Sequence, residues 1–165
     1  MTGFGKALLV AATILSAANA IPIASAATAP SDPCSLLPAA TVSRTLGQTY
    51  GAPASTVAPR PFANAVQGTD CHYTAAKGNG ALWFRIYFDP SAGEATSLFA
   101  KLKMFYSPPT PVAGVGDEAY LDPRHGLHVR KGNVRFFIDL GQEDDFTPTM
   151  QRQITVLAGH VADSL

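Results

Sequence analysis

The chain has 165 residues, with 12 lysines and arginines against 12 aspartates and glutamates, and only two cysteines. That balance gives no electrostatic reason to expect a nucleic acid or an anionic membrane as partner. The length suits one domain, and two cysteines without a Cys-x-x-Cys pair fall short of the four ligands of a structural zinc site.

The chain opens Met1-Thr2-Gly3-Phe4-Gly5-Lys6, with one cation, and an apolar run follows from Ala7 to Ala18. A run of about a dozen residues is shorter than the roughly 20 that span a bilayer, and it fits the apolar region of a secretory signal. Two small-residue cleavage patterns follow, Ala18-Asn19-Ala20 and Ala24-Ser25-Ala26. The second is favoured, because Ile21-Pro22-Ile23 would be an unusual mature start. An uncleaved anchor is the weaker alternative. A lipid anchor at Cys34 is weaker still, since Ser31-Asp32-Pro33 lacks the small apolar approach that such processing needs. The expected layout is a signal peptide over 1–26, a flexible lead-in over 27–33 and one domain over 34–165, with no membrane span after cleavage. The expected location is outside the cytoplasm, in a periplasm, the cell envelope or the medium. Two cysteines in an exported chain read as one disulfide, Cys34–Cys71, against the alternative of a free buried pair.

Pro38 suits a first helical position, and Ala39, Val42 and Leu46 share one helical face that ends at Gly47. Residues 50–67, rich in Pro, Ala and Gly, read as a loop with at most one weak strand. Asp70 to Thr74 reads as a strand, and Lys77-Gly78-Asn79-Gly80 as a hairpin turn carrying the Asn-Gly signal. Ala81 to Asp89 is the clearest strand. Leu82, Phe84, Ile86 and Phe88 alternate with Trp83, Arg85 and Tyr87, the period of a sheet with one face in the core.

Ser91-Ala92-Gly93-Glu94 is a capping box, and Ala95, Leu98, Phe99, Leu102 and Phe105 form the stripe of the helix it opens. The proline-rich stretch 107–111 stops that helix. Strands are expected at 118–121, 127–131 and 134–140. Thr147-Pro148 opens a last helix, with Met150, Ile154, Leu157, Val161 and Leu165 on one side. The class is α+β: an antiparallel sheet backed on one face by two to three helices and closed by one disulfide. A helix followed by a meander occurs at 38–89 and again at 91–140. An internal duplication would give that order, though no residue-level repeat accompanies it.

Three features together resemble a broad group of small exported bacterial proteins, lipoproteins among them, that carry no assigned activity. They are the Cys34-Ser35-Leu36-Leu37 opening with a helix ending at Leu46-Gly47, the Cys71-His72-Tyr73 strand, and Gly114-Val115-Gly116-Asp117-Glu118-Ala119 before a strand. The resemblance implies that the two cysteines pair and that helices back an antiparallel sheet; it points to no catalytic residue. Such proteins commonly open the first helix with Thr-x-x-Glu, where Pro38-Ala39-Ala40-Thr41 stands here. The lipid-anchor signal of many members is also missing.

Signals for chemistry are sparse. His125 and His128 have the spacing of a helical metal pair but fall in a turn and a strand, where odd separation sends side chains to opposite faces. No Gly-x-Ser-x-Gly occurs. Glu143-Asp144-Asp145 lacks the alternation and glycine of a calcium loop and reads as a solvated turn. Gly114-Val115-Gly116-Asp117 precedes a strand rather than a helix, so it reads as turn chemistry with Gly116 at positive φ, not as a phosphate loop. No metal or cofactor is expected.

The strongest candidate is the sheet face away from the Leu82 side. Trp83, Arg85, Tyr87, Arg130, Arg135 and Phe137 would gather there with His128, in residue types enriched at binding hot spots. The bland alternative is that these residues are covered by the 50–67 loop or simply pair across strands. The expected function is a non-enzymatic exported domain that binds a protein or small ligand through this face, with enzyme inhibition as one version. The rivals are an enzyme assembled from scattered residues, with His72, His125 and Asp117 as candidates, and a structural envelope component.

Overall fold

The computed structural model describes residues 26–141 and 146–165. The signal-like segment up to residue 25 and the Glu143-Asp144-Asp145 run lie outside them.

The elements in order are α1 (Ala39–Leu46), β1 (Ala54–Ala58), β2 (Gly68–Thr74), β3 (Ala81–Phe88), α2 (Ala92–Phe105), β4 (Thr110–Pro111), β5 (Glu118–Leu121), β6 (Leu127–Lys131), β7 (Val134–Asp139) and α3 (Pro148–Asp163). The strands form one antiparallel sheet in the order β1-β2-β3-β7-β6-β5-β4. The class is α+β, as the alternation of the strands implied.

Local chemistry sets the element ends. Gly47 closes α1 in the left-handed region. Ser91 caps α2 by accepting the Glu94 N–H, and Thr147 caps α3 by accepting that of Met150. In the turn between β2 and β3 the positive φ falls on Gly78 rather than on the Asn79-Gly80 pair. The weak strand within 50–67 is β1. Gly116 does adopt positive φ, at 59°, and a β-carbon there would meet the Arg130 carbonyl oxygen at 2.5 Å.

The main core lies on the Leu82 face. Leu82, Phe84 and Ile86 of β3, Leu127 and Val129 of β6 and Val134, Phe136 and Ile138 of β7 pack with Val42 of α1 and Ile154, Leu157 and Val161 of α3. The Cys34–Cys71 disulfide is formed at one end of this core. Beside it the buried Tyr73 hydroxyl donates to the Leu37 carbonyl at 2.5 Å, so the lead to α1 is tied to β2 twice.

Two helices, α1 and α3, back this face. The third, α2, crosses the opposite one: Phe99 packs edge-on against Tyr120, and Tyr106 lies 5.1 Å from the His128 ring. The expected stripe of α2 is shorter than its spacing suggested. Ala95, Leu98 and Phe99 are buried, whereas Phe105 is 76% exposed. Apart from β4, the strand order mirrors itself about the β3–β7 pair. Any rotation carrying β3 onto its antiparallel neighbour runs perpendicular to the sheet and preserves its faces. Since α1 and α2 lie on opposite faces, the likeness of the two halves stops at the strands.

Candidate functional site

The face under α2 is built by the odd-numbered positions of β3 and β7. Tyr87 stands opposite Arg135, Arg85 opposite Phe137, and Trp83 opposite Asp139. On β6, His128 lies beside Phe137 and Arg130 beside Arg135. The register therefore gathers all six expected residues on one face.

What it does with them differs among the six. Arg135 was expected to point to solvent, but only 2% of its side chain is exposed. Nε and Nη2 donate to the two Asp89 carboxylate oxygens at 2.5 and 2.9 Å, and the guanidinium lies 4.9 Å from the Tyr87 ring centre. Arg85 forks onto Asp70 in the same way, at 2.6 and 2.8 Å, with 35% of its side chain exposed. That carboxylate holds the Arg85 guanidinium above its ordinary value. The Tyr87 hydroxyl donates to the Pro59 carbonyl at 2.9 Å, so the 50–67 loop does cover part of this face. Burial raises the Tyr87 phenol, and Arg85 and Arg135 oppose that rise.

Between α2 and this face lies a cavity of about 90 Å³. Arg85, Tyr87, Arg135 and Phe137 line it from the sheet, Phe99, Leu102 and Tyr106 from α2, and Pro61 from the loop. His128 completes the floor, stacked 4.7 Å from Tyr120 and tilted against Phe137 at 4.6 Å. Trp83 does not line the cavity; it is stacked on His72 at 4.8 Å in a neighbouring surface depression that shares Arg85 and Phe137 with it. Arg130 is on the same face but not in the cavity wall, and its Nη1 donates to Asp117 at 2.9 Å.

The enzyme candidates are not brought together. His72 is on β2, and His125 is in the β5–β6 turn, stacked on Phe146 at 4.4 Å. Asp117 precedes β5 and holds Arg130 and the Gly132 N–H. His128 and His125 engage different rings, with no shared centre. A histidine–carboxylate pair does occur at the cavity floor: His128 Nε2 lies 3.0 Å from Asp122 Oδ2, both side chains nearly buried. Burial pushes the Asp122 carboxyl up, but the His128 hydrogen bond and charge and the Gly126 and Arg124 N–H groups outweigh it, leaving it below the usual range.

The residues lining the cavity include no serine, threonine, cysteine or carboxylate. They present aromatic surface and donors on Arg85, Arg135 and Tyr106, a set suited to holding an acceptor group rather than to nucleophilic attack. Four buried side-chain polar atoms among the described residues have no hydrogen-bond partner: His72 Nε2, Tyr120 OH, Arg130 Nε and Arg135 Nη1. By register, all four belong to this one face.

Sequence reasoning missed the α2 side of the site. Phe99 and Leu102 were read as core stripe, and the stripe alone does not say which face it meets. Asp89 and Asp122 were missed as partners, although each directly follows a β-strand and continues its alternation onto this face. No family model, curated protein or solved structure matches the chain.

Proposed function

We propose that this is an exported, non-enzymatic binding domain that takes a small ligand, with an apolar body and a hydrogen-bond acceptor, in the cavity between α2 and the sheet. The observation that carries the reading is Arg135 Nη1, a buried side-chain donor without a partner in the cavity wall, with the three other such atoms among the described residues on the same sheet face. Buried polar groups are nearly always paired, and orphans that cluster beside a cavity call for an explanation there. The wall offers donors and rings but no carboxylate, so it favours an acceptor and disfavours a cation. Each arginine is already forked onto an aspartate, so the attraction is directional more than net-ionic. Export rests on the signal-like N-terminus and accords with the formed disulfide and with the absence, among the described residues, of a helix long and apolar enough to cross a membrane. The resemblance to small exported bacterial proteins, which implies no catalytic residue, points the same way.

The test uses the mature domain and its one tryptophan, Trp83, in the depression beside the cavity. Benzoate, benzamide and benzylamine serve as probes of equal size and different charge. Saturable change in Trp83 emission with benzoate or benzamide, weaker with benzylamine, and lost in a cavity-filling Leu102→Trp variant read by NMR, is the expected result. Absence of any saturable response to all three, with capture of a large protein partner through Trp83 instead, would overturn the small-ligand reading.

A further inference from the structure

We infer that Asn133 is the receptor for a new N-terminus made by peptidase cleavage between Ala26 and Ala27. The Ala27 N–H donates to Asn133 Oδ1 at 2.7 Å, and the Ala27 carbonyl accepts from Asn133 Nδ2 at 2.9 Å. One side chain thus takes both backbone hydrogen-bonding groups of one residue, 106 positions away. Asn133 is itself fixed: it is 4% exposed, Nδ2 also donates to the Asp89 carbonyl at 2.8 Å, and its own carbonyl accepts the Asp89 N–H at 2.9 Å.

Ala27 is the first of the described residues that packs on the fold. Its side chain packs against the core, whereas Ala26 is exposed. The small residues at 24 and 26 suit a peptidase that reads small side chains at those two places before the cut. Water adds across the Ala26–Ala27 amide. Ala26 leaves as a carboxylate, and the Ala27 nitrogen becomes an amine that is protonated at neutral pH, given an ordinary value of about 7.7–8.0. An ammonium donates to Asn133 Oδ1 as the amide does, and more strongly because it is charged. A cut after Ala20 would leave six further residues ahead of the fixed point and no free amine at Asn133. Ala27, Asn133, Asp89 and Arg135 form a continuous chain, so the captured terminus buttresses the cavity wall. The inference stands whatever the cavity binds.

The test is to express the whole chain in an exporting bacterial host and read the N-terminal residue of the exported protein by mass spectrometry. The reactivity of its α-amine toward an acylating ester is then timed. Expected are an Ala27 terminus, acylation several-fold slower in the folded than in the urea-unfolded protein, and loss of that protection in Asn133→Ala but not in Asn133→Asp, which keeps the acceptor. A terminus at Ile21 or Met1 would overturn the cleavage assignment. An Ala27 amine that reacts equally fast folded and unfolded would overturn the capture, a comparison that needs only the wild-type protein if Asn133→Ala does not fold.

Discussion

Arg135 and Asp89 meet through two hydrogen bonds, of 2.5 and 2.9 Å, with 2% and 0% of their side chains exposed. Removing one partner strands the other as a buried charge. Asp89→Ala or Arg135→Ala is therefore expected to cost about 3–5 kcal/mol, while an Arg135→Met/Asp89→Leu double variant loses much less. Urea denaturation checks both. A single variant within 1 kcal/mol of wild type (roughly the error of an exposed pair) would show that the pair is hydrated. For the same reason Arg135 is an unsuitable position for testing binding by truncation, and Leu102 is the better one.

The disulfide spans 37 residues and ties the segment before α1 to β2. Loop entropy for that span amounts to about 4 kcal/mol. The Cys34→Ala/Cys71→Ala variant should lose about that much against typical stabilities of about 5–15 kcal/mol. A denaturation midpoint unchanged by the double substitution would mean that the unfolded chain already keeps the two ends of the loop close without the bond.

Asp122 supplies a pH dependence with a definite sign. Its carboxyl sits below the ordinary value in the folded protein despite burial, through His128 and the Gly126 and Arg124 N–H groups. A depressed folded value contributes stability that is present above the unfolded value of about 3.9 and disappears as pH falls through the folded one. The stability gap between wild type and Asp122→Asn should be full above about pH 5 and shrink steadily below about pH 4. Chemical denaturation across that range measures it, and a gap that persists unchanged to about pH 2 would remove Asp122 from the account.

Gly126 lies directly over Phe137: a β-carbon there would collide with Cε2 of the ring. The neighbour is a half-buried aromatic in the cavity wall, so Gly126→Ala must displace it. A loss of about 1–3 kcal/mol is expected, together with weaker benzoate response at Trp83. Thermal unfolding with and without ligand separates the two effects. Full stability with abolished binding would place Phe137 in recognition rather than in support.

The strands were legible because alternation with β-formers has no other reading over Ala81 to Asp89 or Val134 to Leu140. The cysteines, the Ser91 and Thr147 caps and the Gly116 turn were equally local: each depends on residues a few positions apart, or on the chemistry of one side chain. Register then followed for the site, since odd and even positions of β3 and β7 must part to opposite faces. By sequence alone the chain determined an α+β class, an antiparallel sheet, one disulfide and the membership of the Trp83, Arg85, Tyr87, Arg130, Arg135 and Phe137 face. Only the tertiary structure decided that α2 covers that face. An apolar stripe such as Ala95, Leu98 and Phe99 records that a helix buries one side, not which of two apolar sheet faces receives it. Once α2 crossed over, Arg135 was taken out of water and required Asp89 beside it, and a solvent-facing patch became the wall of a cavity.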